Sequence, residues 1–146
     1  MADRGRILKA SDEIVEVLRS AKRVAVVGIK PESHKAEPAY YVPSYLQDAG
    51  YDIVPVPVYY PDVTEILGQP VHRSVADIPG DIDLVVVFRR SRDVESHVDD
   101  IIAKKPRAVW MQLGISNESA SKKFVDAGID VVQNRCTMVE HRNIIG

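Results

Sequence analysis

The stretch Arg23-Val24-Ala25-Val26-Val27-Gly28 decides the fold, because it predicts a buried β-strand that ends abruptly at a glycine. An uninterrupted apolar, β-branched run is typical of a strand that is covered on both faces, as in a parallel sheet. Later stretches of similar character cover residues 51–57, 83–89, 108–113 and 129–133. We therefore predict about five strands.

Helical patterns separate these strands. Ser11, Ser91 and Ser116 are the predicted N-caps, since serine hydroxyls accept hydrogen bonds from the first free N–H groups of a helix. The predicted helices cover about 11–20 and 40–49, a stretch that begins after Ser91 and ends before Pro106, residues 116–127, and a short helix or strand over 138–146.

Strands that alternate with helices favour βαβ units. The expected fold is therefore α/β, a doubly wound, mainly parallel sheet of about five strands flanked by helices in three layers. We expect one domain over residues 1–146, with an N-terminal helix at about 11–20 and a core over about 22–141.

Composition excludes several classes of protein. Nineteen Lys and Arg against 21 Asp and Glu give a net charge of -2, which argues against non-specific binding to nucleic acid. Cys136 is the single cysteine and the four histidines share no ligand spacing, so neither a disulfide nor a metal site is expected. The longest apolar run, 83–88, is too short for a membrane span. The first residues lack a signal-peptide pattern, and a cytoplasmic location is expected.

Ligands of doubly wound sheets bind at the carboxyl ends of the strands, so the residues that follow each strand are the candidates. After the first strand, Gly28 allows a sharp turn and a close backbone approach to a ligand. The loop that follows carries Ile29, Lys30, Ser33, His34 and Lys35, which offer donors to a phosphate. A plain connecting loop without a ligand remains the alternative.

The third strand ends in Phe88-Arg89-Arg90, and arginine makes bidentate contacts with phosphate oxygens. The alternative is a solvated charge cluster in which these arginines pair with Asp93, Glu95 or the acidic pair at 99–100.

The second strand carries no acidic residue at its end, where an NAD site would hold the ribose hydroxyls. Asp52 lies at the beginning of that strand, at the wrong edge of the sheet. Its end, Pro55-Val56-Pro57, suits an adenine resting on an apolar wall.

The last two strands add a few polar candidates. Gln112 is expected to face the crevice, and Asn134-Arg135-Cys136 follows the fifth strand. Arg135 is a candidate anion contact. Cys136 has no His or Asp partner assignable by spacing, so no catalytic residue is predicted, and a packed thiol is the alternative to a thiol in the crevice.

Several short strings, in this order and spacing, resemble the stand-alone CoA-binding proteins with a Rossmann-like fold, which are related to the N-terminal domain of the succinyl-CoA synthetase alpha subunit. The resemblance covers residues 23–141. The strings are Val26-Val27-Gly28, Tyr45-Leu46 before Gly50-Tyr51, Val54-Pro55-Val56, Glu65-Ile66-Leu67-Gly68, Ala76-Asp77-Ile78-Pro79, Val87-Phe88-Arg89-Arg90, Val109-Trp110-Met111-Gln112-Leu113-Gly114 and Asn134-Arg135-Cys136.

The resemblance implies a small module that binds coenzyme A or acyl-CoA without catalysis, as a carrier or regulator. It places the phosphates at the Gly28 loop, the adenosine end beside residues 55–57, and further contacts at residues 88–90. One departure is that this loop is about two residues longer than in many relatives, and Glu32 and Glu37 in it would repel phosphate unless they point away. The chain is expected to be a monomer or homodimer.

Two other functions stay open. One is an acyl-CoA- or nucleotide-dependent transferase or oxidoreductase that uses the same crevice, and the other is an interaction module without a ligand. The candidate binding residues are Gly28, Ile29, Lys30, Ser33, His34, Lys35, Pro55, Val56, Pro57, Phe88, Arg89, Arg90, Gln112, Asn134, Arg135 and Cys136.

Overall fold

A computed structural model describes residues 5–145 of the chain; the first four residues and Gly146, which belong to the predicted N-terminus and tail, lie outside the described residues. The helices are α1 (Ser11–Ser20), α2 (Pro38–Asp48), α3 (Val98–Lys104), α4 (Glu118–Asp126) and α5 (Thr137–Ile145). The strands are β1 (Arg23–Val27), β2 (Asp52–Val56), β3 (Glu65–Ile66), β4 (Gln69–Pro70), β5 (Leu84–Val87), β6 (Ala108–Met111) and β7 (Asp130–Val132). Short 3₁₀ helices cover Glu32–His34 and Ser91–His97.

The main sheet has five strands in the order β2-β1-β5-β6-β7, and every neighbouring pair is parallel. Counted along the chain, this order is 2-1-3-4-5, so the direction in which strands are added reverses between β1 and β5. Crevices for ligands form at such a reversal, outside the carboxyl ends of the strands. The strands β3 and β4 pair separately as a two-stranded antiparallel hairpin.

Helices cover both faces of this sheet. Along β1, Val24 and Val26 pack into one core with α1, α2 and α5, while Ala25 and Val27 pack into the other with α3 and α4. This alternation follows from the two-residue period of a strand. The predicted three-layer, doubly wound α/β fold is confirmed.

Two helix starts differ from the expectations. The helix α2 begins at Pro38 rather than near residue 40, because proline fits the first helical turn, where its missing N–H is not needed. Pro43 lies inside the helix, five residues further on. The segment after Ser91 starts as a 3₁₀ helix and becomes α-helical only at Val98.

The three predicted serine N-caps are wrong. Asn117 caps α4 by accepting a hydrogen bond from the Ala120 N–H at 2.9 Å, one residue beyond Ser116. The helix α1 begins after Ala10 without a side-chain cap, and Ser11 is its first helical residue. The Ser91 hydroxyl instead accepts from the Ser116 N–H at 3.1 Å, which ties the loops after β5 and β6 together.

The end of β1 is a point of close backbone approach. Gly28 has φ +83°, and a Cβ added there would overlap the carbonyl oxygen of Phe88 and lie 3.0 Å from its carbonyl carbon. The Gly28 N–H donates to Val56 O at 2.9 Å, and the Phe88 N–H donates to Val27 O at 2.8 Å. Glycine is required here for both its backbone angle and its lack of a side chain.

No helix within residues 5–145 is long and apolar enough to cross a membrane.

We expect Gly28→Ala to destabilise the fold by roughly 2–5 kcal/mol, since a left-handed backbone costs an L-residue about 1–2 kcal/mol and forced overpacking about 1–3 more. Gly68→Ala is the matched control, because Gly68 has φ +73° but nothing within 4 Å of an added Cβ. Urea unfolding of both variants checks this. Equal losses in unfolding free energy would contradict a steric role for Gly28.

Candidate functional site

A cleft of about 630 Å³ lies at the carboxyl edge of the sheet, where the strand order reverses. Segments that follow β1, β2, β5, β6 and β7 all contribute to it. The lining residues are Lys30, Glu37, Pro38, Ala39, Tyr41, Val42, Tyr59, Phe88, Arg89, Arg90, Gln112, Leu113, Gly114, Ile115 and Cys136. The predicted candidates among them are Lys30, Phe88, Arg89, Arg90, Gln112 and Cys136.

The loop after Gly28 is tied to α2 through its backbone. The Lys30 N–H donates to Ala39 O at 3.1 Å. Ala39 O would bond the N–H of residue 43 in a regular helix, but Pro43 has none. The proline inside α2 therefore frees the carbonyl that fixes the loop. Ile29, one of the predicted candidates, is instead buried in the core below.

Lys30 and Glu37 form an ion pair at the cleft. The Lys30 Nζ lies 2.5 Å from Glu37 Oε1, and both side chains are partly exposed. The hydrogen bond to Glu37 raises the pKa of Lys30. The same hydrogen bond lowers the pKa of Glu37. Both groups therefore stay charged around neutral pH, and the glutamate offsets the positive charge that this lysine brings.

The helix α2 points its N-terminus at the cleft, since Pro38 and Ala39 both line it. The N–H groups of Tyr40 and Tyr41 donate to Glu37 O at 2.9 and 3.0 Å. These two N–H groups are therefore occupied and Pro38 has none, so the helix favours an anion at this position through the positive end of its dipole.

Three predicted candidates of the same loop lie away from the cleft lining. Ser33 and His34 belong to the 3₁₀ helix Glu32–His34, and Lys35 is exposed beyond it. The Ser33 hydroxyl lies 2.9 Å from His34 Nδ1. The other ring nitrogen of His34 lies 3.4 Å from the Tyr60 hydroxyl, so this part of the loop contacts the segment after β2.

Arg89 is held in place by three groups. Its Nε donates to His97 Nε2 at 3.1 Å, and its Nη1 donates to the Tyr59 hydroxyl at 3.3 Å. The guanidinium carbon lies 5.5 Å from the centre of the Tyr59 ring, and the Arg89 side chain is only 14% exposed. Arg89 is thus ordered before any ligand arrives.

His97 must be neutral to accept the Arg89 hydrogen bond. Burial lowers the pKa of His97, and the charge of Arg89 lowers it further. The carboxylates of Asp93 and Asp100 act in the opposite direction and are the weaker influences. The neutral imidazole therefore serves as an acceptor that fixes the Arg89 side chain.

Arg90 is the freer of the two arginines. Its side chain is 68% exposed, and its Nε lies 3.0 Å from Asp93 Oδ2. Asp93 also lies 3.9 Å from Arg89 Nη2. The predicted alternative, pairing with Asp93, is thus present, yet both arginines still line the cleft.

Other acids named in that alternative are engaged elsewhere. Glu95 pairs with Lys123 at 2.6 Å, and that hydrogen bond lowers the pKa of Glu95. Asp100 accepts from the backbone N–H groups of Val75 and Ala76 at 2.7 and 2.9 Å.

After β2, a tyrosine lines the cleft in place of the predicted segment 55–57. Pro55, Val56 and Pro57 are buried and do not line the cleft, and Pro55 O accepts from the His72 N–H at 3.0 Å. Tyr59, two residues later, lines the cleft instead. The acid expected of an NAD site is missing from the end of β2, and Asp52 lies at the first residue of that strand.

Gln112 lines the cleft, but its side-chain amide is hydrogen-bonded to another residue of the fold. It donates to Thr137 Oγ1 at 2.9 Å, while its Oε1 accepts from the Thr137 N–H at 3.3 Å. Gln112 is 3% exposed, so these bonds satisfy a buried amide and hold the first residue of α5.

Residues 134–136 play separate roles. Asn134 has φ +60° and accepts from the Gly114 N–H at 2.7 Å, which shapes the loop after β6. Arg135 lies 3.6 Å from Glu140 and does not line the cleft. Cys136 is partly buried and lines the cleft.

The sequence predicted Phe88 but not the rest of the apolar lining. Tyr41 and Val42 on α2, together with Leu113 and Ile115 after β6, complete the walls. Leu113 is 70% exposed although it follows a buried strand, and that exposure of a large apolar side chain was visible only in the structure.

A second cavity of about 530 Å³ lies at the opposite, amino edge of the sheet. Lys22, Tyr51, Asp52 and His141 are among its lining residues. Among residues 5–145, no group of three or more His, Cys, Asp or Glu side chains is placed to hold a metal ion.

A family model and a bacterial relative both match most of this chain. The model of the CoA binding domain family matches residues 22–142. The uncharacterized protein YneT of Bacillus subtilis (strain 168) is 35% identical over 129 residues, which cover 88% of this chain and 92% of that protein.

Two solved structures have similar folds and lengths. The cell-free ID.343 protein from Thermus thermophilus has a TM-score of 0.84 at 34% identity, covering 93% of this chain and 99% of its own. A hypothetical protein from Pyrococcus horikoshii OT3 has a TM-score of 0.85 at 36% identity, covering 94% of each chain.

The dinucleotide-forming acetyl-coenzyme A synthetase 1 of Ca. Korarchaeum cryptofilum, at 20% identity and a TM-score of 0.68, shares the fold over 82% of this chain and 28% of its own. The family match spans all seven strands and every residue that lines the cleft. The predicted resemblance is confirmed, and the chain belongs to the CoA-binding domain family.

Proposed function

We propose that this protein binds coenzyme A or acyl-CoA in the cleft at the carboxyl edge of the sheet, as a non-catalytic carrier or regulatory module. The observation that carries the proposal is the order of chemistry along the cleft. In the order of the strands, the cleft residues run from Tyr59 after β2, through the N-terminus of α2 after β1 and the arginine pair 89–90 after β5, to Leu113 and Ile115 after β6 and Cys136 after β7. Coenzyme A has the same order, with phosphates between an adenosine and a pantetheine arm.

The middle of the cleft supports phosphate binding. The N-terminus of α2 follows β1, and Arg89 and Arg90 follow the neighbouring strand β5. Arginine forks and helix N-termini are the protein groups best suited to phosphate oxygens. Arg89, already ordered, suits the pyrophosphate. Arg90, exposed and held by one carboxylate, suits the 3′-phosphate.

The two ends support an orientation of the ligand. Tyr59 lies two residues after the buried segment 55–57, and its ring is available for the adenine. Leu113, Ile115 and Cys136 follow β6 and β7 at the other end. In the proposed orientation the pantetheine arm runs over this apolar wall, and its thiol or acyl group lies toward Cys136.

The charged groups of the cleft support binding rather than catalysis. A general acid or base works best when its pKa lies near the working pH. The pKa of Lys30 is raised and that of Glu37 is lowered, each by the hydrogen bond between them, so both move away from neutrality. The two arginines are permanently charged donors.

We expect coenzyme A at a hundred times its Kd to add about 2.7 kcal/mol to the unfolding free energy, because it binds only the folded state. For a chain of this size that corresponds to a rise in Tm of roughly 5–10 °C. Differential scanning fluorimetry with CoA, acetyl-CoA, NAD and FMN at equal concentration measures it. NAD and FMN should have little effect, and a rise with NAD alone would contradict the proposal.

The two arginines should respond differently to removal of the 3′-phosphate. A charge-assisted contact is worth about 1.5–3 kcal/mol, or roughly 10- to 150-fold in Kd. We expect Arg90→Ala to weaken CoA by that factor and to leave dephospho-CoA almost unchanged, since the partner phosphate is already absent. Arg89→Ala should weaken both ligands equally. Isothermal titration calorimetry of the two variants with both ligands checks this.

Arg92→Ala is the control, because Arg92 is exposed and does not line the cleft. Unchanged affinity for both ligands in Arg89→Ala and Arg90→Ala would remove the chemical basis of the phosphate site and favour the solvated charge cluster.

A further inference from the structure

The segment after β2, residues 59–63, has a strained backbone and an exposed tyrosine at its start. We call this segment the tyrosine loop. Tyr60 has φ +65°, in the left-handed region that an aromatic residue seldom adopts. Tyr59 is 60% exposed, so burial does not fix its side chain. One hydrogen bond within the loop, from the Val63 N–H to Tyr60 O at 3.1 Å, closes the turn, and the strained backbone indicates further support from outside the loop.

Arg73, ten residues beyond the loop, supplies this support through hydrogen bonds. Its Nη1 donates to Tyr59 O at 3.2 Å. Its Nη2 lies within hydrogen-bond distance of Tyr60 O at 3.0 Å, Pro61 O at 3.3 Å and Val63 O at 2.7 Å. One guanidinium thus spans four carbonyl oxygens of the loop, and no single ammonium group could match that planar fork.

Two side chains of the tyrosine loop contact neighbouring segments of the chain. Tyr59 places its ring under the Arg89 guanidinium and accepts the Arg89 Nη1–H. Tyr60 contacts His34 edge-on, with ring centres 5.2 Å apart, on the loop that follows β1. The position of the tyrosine loop therefore bears on the Arg89 guanidinium and on the loop that follows β1.

We propose that Arg73 is a positioning residue for Arg89, the candidate anion-binding side chain. By binding the carbonyl groups of the tyrosine loop, Arg73 fixes the position of Tyr59, and the contacts of Tyr59 fix the orientation of the Arg89 guanidinium. Arg73 itself does not line the cleft. The consequence for ligand affinity rests on the proposed function, whereas the consequence for Arg89 does not.

The first test uses the protein without ligand. In Arg73→Gln we expect the nuclear Overhauser contacts between the Tyr59 ring and the Arg89 side chain to be lost or strongly weakened, while the backbone amide spectrum of the five-stranded sheet stays unchanged. Arg73→Lys should not restore them, because it offers a point charge in place of the fork. Intact Tyr59–Arg89 contacts in Arg73→Gln would overturn the proposal.

The second test measures affinity by calorimetry. Arg73→Gln should weaken CoA and dephospho-CoA equally, by roughly 5- to 10-fold, since part of a charge-assisted contact at the pyrophosphate is lost. In an Arg89→Ala background the same substitution should weaken binding clearly less than in the unaltered protein, because the part of its effect that acts through Arg89 is already lost and only the Tyr59 contact with the ligand remains. Additive losses in the double variant, or no loss in the single one, would overturn the proposal.

Arg23→Gln is the matched control. Arg23 also braces a loop through backbone carbonyls, with its Nη1 donating to Pro79 O at 2.5 Å and Asp81 O at 3.1 Å, but at the start of β1 and away from the cleft. It should leave affinity unchanged. If the unaltered protein fails to bind CoA, the proposed function falls, and the ligand-free spectra alone decide whether Arg73 positions Arg89.

Discussion

The absence of a side chain at Gly28 lets three strand ends meet. Gly28 bonds to the end of β2 on one side, and on the other its Cα lies against the Phe88 carbonyl, where a Cβ would overlap. Arg89 and Arg90 follow Phe88 directly in the sequence. Because the strand order also reverses here, the two arginines and the N-terminus of α2 border one cleft. Any residue larger than glycine would push these groups apart.

The charges at the cleft are paired before a ligand arrives. Lys30 is bound to Glu37 and Arg90 to Asp93, so an incoming phosphate must compete with a carboxylate for each of them. Arg89 differs, because its strongest partners are a neutral imidazole and a tyrosine. The nearest carboxylate, that of Asp93, lies 3.9 Å from Arg89 Nη2 and is shared with Arg90, so the Arg89 charge is oriented and only partly compensated, a preorganised state that favours anion binding. This makes the supports of Arg89 as important as the arginine itself.

The fold was predictable from sequence, whereas the site was predictable only in part. Residues 24–27 are all apolar and all buried, so their sequence indicates a strand covered on both faces. The arginines directly follow the end of another strand, so the topology places them at the carboxyl edge of the sheet. Tyr59 and Leu113 could not be assigned, because their exposure depends on loops with left-handed residues such as Tyr60 and Asn134. The predicted cap at Ser116 failed because its neighbour Asn117 caps as well as serine, whereas the helical segments that begin at Ser11 and Ser91 start without a side-chain cap.

The most direct test of the central claim, that the carboxyl edge of the sheet binds coenzyme A, is a titration of isotope-labelled protein with CoA followed by amide chemical shifts. We expect the largest shifts at Lys30, Arg89, Arg90 and Gly114, which border the cleft. Shifts confined to the second cavity, around Lys22 and Asp52 at the amino edge, would contradict it.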